Sequence, residues 1–98
     1  MAYHVELDQA LVLAYLDHPD RGLTEADVDN LLGFLEGLAH TGEVYRNDPS
    51  RRCSPGSAHF EVTYVFADSA GRLRAFRFII SDAAAAYGVL QVRFVEEL

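Results

Sequence analysis

Lysine is absent from this chain, and all eight of its basic residues are arginine. We attribute that to base composition of the coding sequence, not to mechanism. Cys53 is the single cysteine, which excludes an internal disulfide. No apolar run approaches the roughly 18 residues of a membrane-spanning helix. The opening Met1-Ala2-Tyr3-His4-Val5-Glu6 lacks the basic start and apolar stretch of a signal peptide. Internal repeats and long linkers are also missing. These absences point to a cytoplasmic protein with no membrane partner.

What is present suffices for one domain, residues 1–98. Half of the residues are apolar, and a chain of this size buries roughly 60–70% of its unfolded surface without disulfides or metal. The net charge of −7 opposes non-specific binding of nucleic acid by the whole surface. That charge is unevenly spread. Residues 1–45 hold nine acids and one arginine (−8), and residues 46–98 hold six acids and seven arginines (+1).

Hydrophobic spacing gives the elements. Residues 3–7 alternate, with Tyr3, Val5 and Leu7 on one side, as in a short strand. Asp8 is placed to cap a helix over about 9–18, apolar almost all round and therefore expected to be well buried. Pro19 ends it. Thr24 and Asp27 resemble a capping box for a second helix, with Leu23 and Val28 as a hydrophobic staple. Its core stripe is Val28, Leu31, Leu32, Leu35, Leu38 and Ala39, and Gly42 is placed as its stop. Glu43-Val44-Tyr45-Arg46 reads as a brief strand inside a loop. A β-hairpin follows. With Ser69-Ala70-Gly71 as a three-residue loop, Tyr64 pairs with Phe76, Val62 with Phe78 and Phe60 with Ile80, so that one face is wholly apolar. On the other face Glu61 and Arg77 lie diagonally, within reach of each other. A last strand over 89–95 carries Leu90, Val92 and Phe94 inward, antiparallel to its neighbour. The fold class is α+β: a helical hairpin on one face of a four- to five-stranded antiparallel sheet, in the order β-α-α-(β)-β-β-β.

This order resembles the RelE/ParE toxin superfamily of bacterial toxin–antitoxin pairs. Tyr3-His4-Val5-Glu6-Leu7 resembles its opening strand. Phe60-Glu61-Val62-Thr63-Tyr64-Val65-Phe66 is similar to its central aromatic strand, and Arg74-Ala75-Phe76-Arg77-Phe78-Ile79-Ile80 to the strand after it. The resemblance implies an antitoxin-like protein partner, and for ribonuclease members action on mRNA at the ribosome. The chain departs from that pattern in three ways. Glu61 stands where many members carry a base, the chain is acidic, and only Tyr87 is available as the His or Tyr near the C-terminus that serves RNA cleavage. A gyrase-directed or inactive member fits these departures better than a ribonuclease.

Four residues are candidates for catalysis: Arg77, His59, Arg74 and Tyr87. Arginines can stabilise charge developing at a phosphodiester. His59 lies on the polar face two residues from Glu61 and is the best candidate acid or base. Arg51 and Arg52, on a loop, are candidates for anion binding, especially if they converge with Arg77. The bland alternative for Arg77 is a quiet pair with Glu61. His4, His18, His40 and His59 lack metal-ligand spacing, and phosphate-loop and dinucleotide fingerprints are absent, so neither a metal nor a cofactor is expected. Tyr64, Phe66, Phe76 and Phe78 could stack on bases, but they share the face the helices must cover. The competing functional class is an acidic, non-enzymatic binding module, immunity- or inhibitor-like, whose −8 half docks on a basic effector. A homodimer through open sheet edges is a further expectation.

Overall fold

Two caps set where the helices begin. The structure is a computed structural model that describes residues 2–98. After strand β1 (His4–Leu7), the Asp8 side chain accepts a hydrogen bond from the Leu11 amide at 2.8 Å. This starts α1, a π-helical stretch over Gln9–Leu13 that continues as α-helix over Ala14–Asp17. Pro19 then opens a 3-10 turn, Pro19–Arg21. Only Val12 and Leu16 of α1 are fully buried, and Leu11 is 53% exposed. The expected all-round burial is therefore corrected: α1 is short and one-sided, with one face against β4.

Helix α2 (Glu25–Arg46) carries the capping box read from the sequence. The Asp27 amide donates to Thr24 Oγ1 at 3.2 Å, and the Thr24 amide donates to Asp27 Oδ2 at 3.1 Å. Leu31, Leu35 and Leu38 are fully buried. Gly42 is not the stop, and Glu43-Val44-Tyr45-Arg46 is not a strand. The helix runs on through both, to Arg46. Gly42 sits inside it at a close approach to the sheet, where a Cβ would lie 2.6 Å from Leu90 Cδ1. The stop comes from Pro49 instead: Asp48, just before it, takes an extended conformation.

Strands β2 (His59–Ala67), β3 (Leu73–Ser81) and β4 (Val89–Glu97) form an antiparallel meander. The hairpin register is the expected one: Phe60↔Ile80, Val62↔Phe78 and Tyr64↔Phe76. Gly71 takes φ 79°, the left-handed conformation that its three-residue loop requires. The sheet has four strands in the order β1-β4-β3-β2. It is mixed rather than wholly antiparallel, because β1 runs parallel to β4, with Val5 beside Leu90 and Leu7 beside Val92. Almost the whole chain separates these two strands, so no tight turn dictates their relative direction.

A second correction concerns β4. Ile79 pairs with Phe94 but Ile80 pairs with Val92, leaving Arg93 as the extra residue of a β-bulge. Beyond the bulge the facing of side chains inverts. Val95 is fully buried and Phe94 is 42% exposed, the reverse of the expected alternation. Both helices pack on one face, over Phe60, Val62, Phe76, Phe78, Ile80, Leu90, Val92 and Val95. The opposite face is open.

Candidate functional site

Arg77 occupies the middle of the open face, between Thr63 on β2 and Glu96 on β4. Its guanidinium is held from both sides. Nη1 lies 3.0 Å from Glu61 Oε2 and Nη2 lies 2.6 Å from Glu96 Oε1. The remaining Nε is buried without a hydrogen-bond partner among the described residues. Two carboxylates on one guanidinium leave a local charge of −1, which repels a phosphate. His59 does not join this group. It is exposed and pairs in register with Ser81, four residues along β3 from Arg77, roughly 13 Å away at strand spacing.

Arg74 points to the opposite side of the sheet, and its side chain is only 10% exposed. Nη1 contacts Asp68 Oδ2 at 3.1 Å, Nε contacts Glu97 Oε2 at 2.5 Å, and Nη2 donates to the Arg21 carbonyl at 2.8 Å. One residue thus ties the hairpin loop, the end of β4 and the turn between the helices. The Glu97 hydrogen bonds raise its pKa well above the ordinary arginine value. In return, Arg74 pulls the Glu97 carboxyl below its usual range. Asp68 is lowered too, first by the Arg72 amide and then by Arg74.

Arg51 and Arg52 part company in the loop. Arg51 pairs with Asp48 at 3.3 Å and lies over the Tyr45 ring. Arg52 sits over Phe60, contacts Asp82 at 2.7 Å and donates to the carbonyls of Arg46 and Ser57. Because Phe60 faces the helices, Arg52 and Arg77 are on different faces of the sheet. The two loop arginines and Arg77 therefore do not converge.

A polar cluster that sequence reasoning missed lies beside Arg52. Arg46, in the last turn of α2, contacts Asp82 at 3.0 Å and donates to the Tyr3 hydroxyl at 3.2 Å. The Tyr3 hydroxyl in turn donates to Glu43. Tyr3, His40, Glu43, Arg46, Ala85 and Ala86 line an open cleft of about 450 Å3. Tyr87, on the 3-10 turn Ala85–Tyr87, is 87% exposed and is not among the lining residues. Burial opposes ionisation of Asp82, but hydrogen bonds from Arg52 and Arg46 outweigh it and hold the carboxyl below its usual range. The hydrogen bond to Glu43 raises the Tyr3 phenol and lowers Glu43. Only the unbroken helix across Gly42 brings Glu43 and Arg46 to this place. Reading 43–46 as a strand hid the cluster.

Of the arginines, all among the described residues, only Arg72 and Arg93 form no ion pair within 4.0 Å, and both are exposed. No helix among these residues is long and apolar enough to cross a membrane. The open face leaves apolar side chains uncovered around the Arg77 triplet: Val65 is 56% exposed, Phe94 42% and Leu98 67%, beside a partly exposed Ile79. In comparisons with known proteins, the chain matches no protein-family model, no curated protein and no solved structure.

Proposed function

We propose that this chain is a RelE/ParE-like toxin-superfamily protein that acts by holding a protein partner, not by cutting RNA. One observation carries the choice. Arg51, Arg52, Arg74 and Arg77, the cations expected to handle a phosphate, are each paired with a carboxylate of the same chain. The other two candidates do not complete a site with them: His59 stands roughly 13 Å along the sheet from Arg77, and Tyr87 projects from its 3-10 turn, 87% exposed. Support for the superfamily comes from the order of elements: one strand, two helices and an antiparallel meander of three strands. The uncovered Val65, Ile79 and Phe94 suit a protein surface better than a polyanion.

A second reading is favoured by the helices. Asp17, Asp20, Glu25, Asp29 and Glu36 are all exposed on α1, α2 and the turn between them. An acidic module of the immunity or inhibitor kind would present such a surface to a basic effector.

Expression from a tight inducible promoter in a bacterial host tests the choice. The proposal expects growth arrest with cellular mRNA intact, relieved by Phe94→Asp in a variant shown by circular dichroism to remain folded. Arrest with cleaved mRNA would instead make the chain a ribonuclease. Normal growth with abundant soluble protein would turn attention to the acidic module, whose binding to its effector should weaken steeply with salt.

A further inference from the structure

Strand β2 is an outer strand of the sheet. Backbone groups along an antiparallel strand point alternately towards and away from the neighbour. The Asp68 amide donates to the Arg72 carbonyl across the hairpin, so the even-numbered residues of β2 bond to β3. The odd-numbered residues turn their N–H and C=O groups outward. At the start of the strand the loop takes them up: Cys53 donates to the His59 carbonyl and Arg52 bridges Phe60. Past this cover, Thr63, Val65 and Ala67 have no neighbouring strand among the described residues, and all three are exposed.

Folded proteins guard such an edge with a charge, a proline or a bulge, because an unpaired edge recruits another strand. Here Val62-Thr63-Tyr64-Val65-Phe66-Ala67 contains no charge, no proline and no glycine, and its pairing with β3 runs without a bulge. Every residue but Ala67 is β-branched or aromatic, the type that pairs best across strands. In a chain of net charge −7, this edge lets two copies meet with no ionised side chain between them.

We infer that two copies of this chain associate through this edge, β2 against β2 and antiparallel, about a two-fold axis at Val65. Identical antiparallel strands complement each other by symmetry, so no second sequence is required. The Arg52 bridge selects the register. An axis at Thr63 would drive the covered His59 end of each copy against Ala67 of the other. An axis at Val65 sets Val65 against its own counterpart and Thr63 against Ala67, forming about six backbone hydrogen bonds. On the open face, two half-exposed valines cover each other. On the helical face, Tyr64 meets Phe66 of the second copy, extending the stack those rings already make within one chain at 5.5 Å. Two four-stranded sheets become one of eight. A single strand pair buries less surface than a standard interface, so the association is weak and depends on concentration.

Sedimentation velocity over a concentration series, joined to amide hydrogen exchange, tests the inference. The native chain should shift from monomer to dimer between low micromolar and submillimolar concentration. The amides of Thr63, Val65 and Ala67 should gain protection over the same range. Val65→Lys places two ammonium groups on the axis and should weaken the dimer by about tenfold or more. Val65→Thr should retain it, and serves if the lysine variant fails to fold. A native chain that stays monomeric throughout would overturn the inference and leave the edge to a strand of another protein. A dimer that survives Val65→Lys, or that leaves those three amides unprotected, would overturn it as well.

Discussion

The three glycines of α2 should respond to alanine in opposite directions. A Cβ added at Gly33 or Gly37 meets nothing within 4 Å. Glycine to alanine inside a helix stabilises by about 1 kcal/mol, because less backbone freedom is lost on folding. Nothing at either site opposes that gain. The double variant Gly33→Ala/Gly37→Ala should therefore gain about 1.5–2 kcal/mol, a rise in Tm on the order of 6–16 °C for a domain of this length. Gly42 differs. Its Cβ would lie 2.6 Å from Leu90 Cδ1, 3.8 Å from Tyr3 Cδ2 and 3.9 Å from Leu38 Cβ. Leu90 and Leu38 are fully buried, and the Tyr3 amide donates to the Ala39 carbonyl at 2.8 Å, which holds the helix down on β1. Overpacking costs about 1–3 kcal/mol, enough to offset the helical gain. Gly42→Ala should end level with the parent or up to about 2 kcal/mol below it. Urea unfolding followed by circular dichroism gives the comparison, provided the m-value is unchanged. If Gly42→Ala stabilised as much as Gly37→Ala, the close approach of helix and sheet would be refuted. If the double variant lost stability, open space at Gly33 and Gly37 would be refuted.

Two further outcomes are expected from the ion pairs. Arg74→Met should cost about 2–4 kcal/mol, because it strands Asp68 and Glu97 at a covered site, whereas Arg77→Met, at a half-exposed pair, should cost about 1 kcal/mol or less in the same urea assay; equal losses would contradict the difference in burial. Asp68, Asp82 and Glu97 are all held below their usual range in the fold, so their stabilisation should be complete above the unfolded pKa of about 4 and fade as pH falls through the lower folded values; urea midpoints should stay level from neutral pH to about 5 and then fall, less steeply in Arg74→Met, and an equally steep acid fall in that variant would count against the assignment.

Some of this architecture was legible because its determinants are local. The capping box needs only Thr24 and Asp27, and the hairpin register needs only two facing rows of apolar residues and a three-residue loop ending in glycine. The Glu61–Arg77 pair followed from that register. What stayed hidden depends on strands meeting at a distance. The bulge at Arg93 belongs to β3 and β4 together, so alternation within β4 alone put Phe94 inside. Gly42 has the local look of a helix stop, yet the groups that carry α2 past it, Tyr3 and Asp82, lie 40 and 36 residues from their partners Glu43 and Arg46. The two-residue alternation of β3 puts Arg74 on the face of Phe76, but its partner Glu97 is 23 residues away and invisible to any window of sequence. The parallel pairing of β1 with β4 leaves no local mark at all.

That pairing also sets a timetable for folding. Strand β1 is made first, yet its neighbour in the sheet begins 85 residues later, at Val89. On a translating ribosome the helices and the β2–β3 hairpin can form while β1 still waits, its apolar side chains Val5 and Leu7 without β4 beside them. Closing so long a loop carries the largest chain-entropy cost in the molecule. The docking of β1 should be the late event in folding, and contacts of such long range slow the rate as a whole. A chain released before Val89 would have three strands, one of them an orphan, the kind of species that chaperones and proteases meet first.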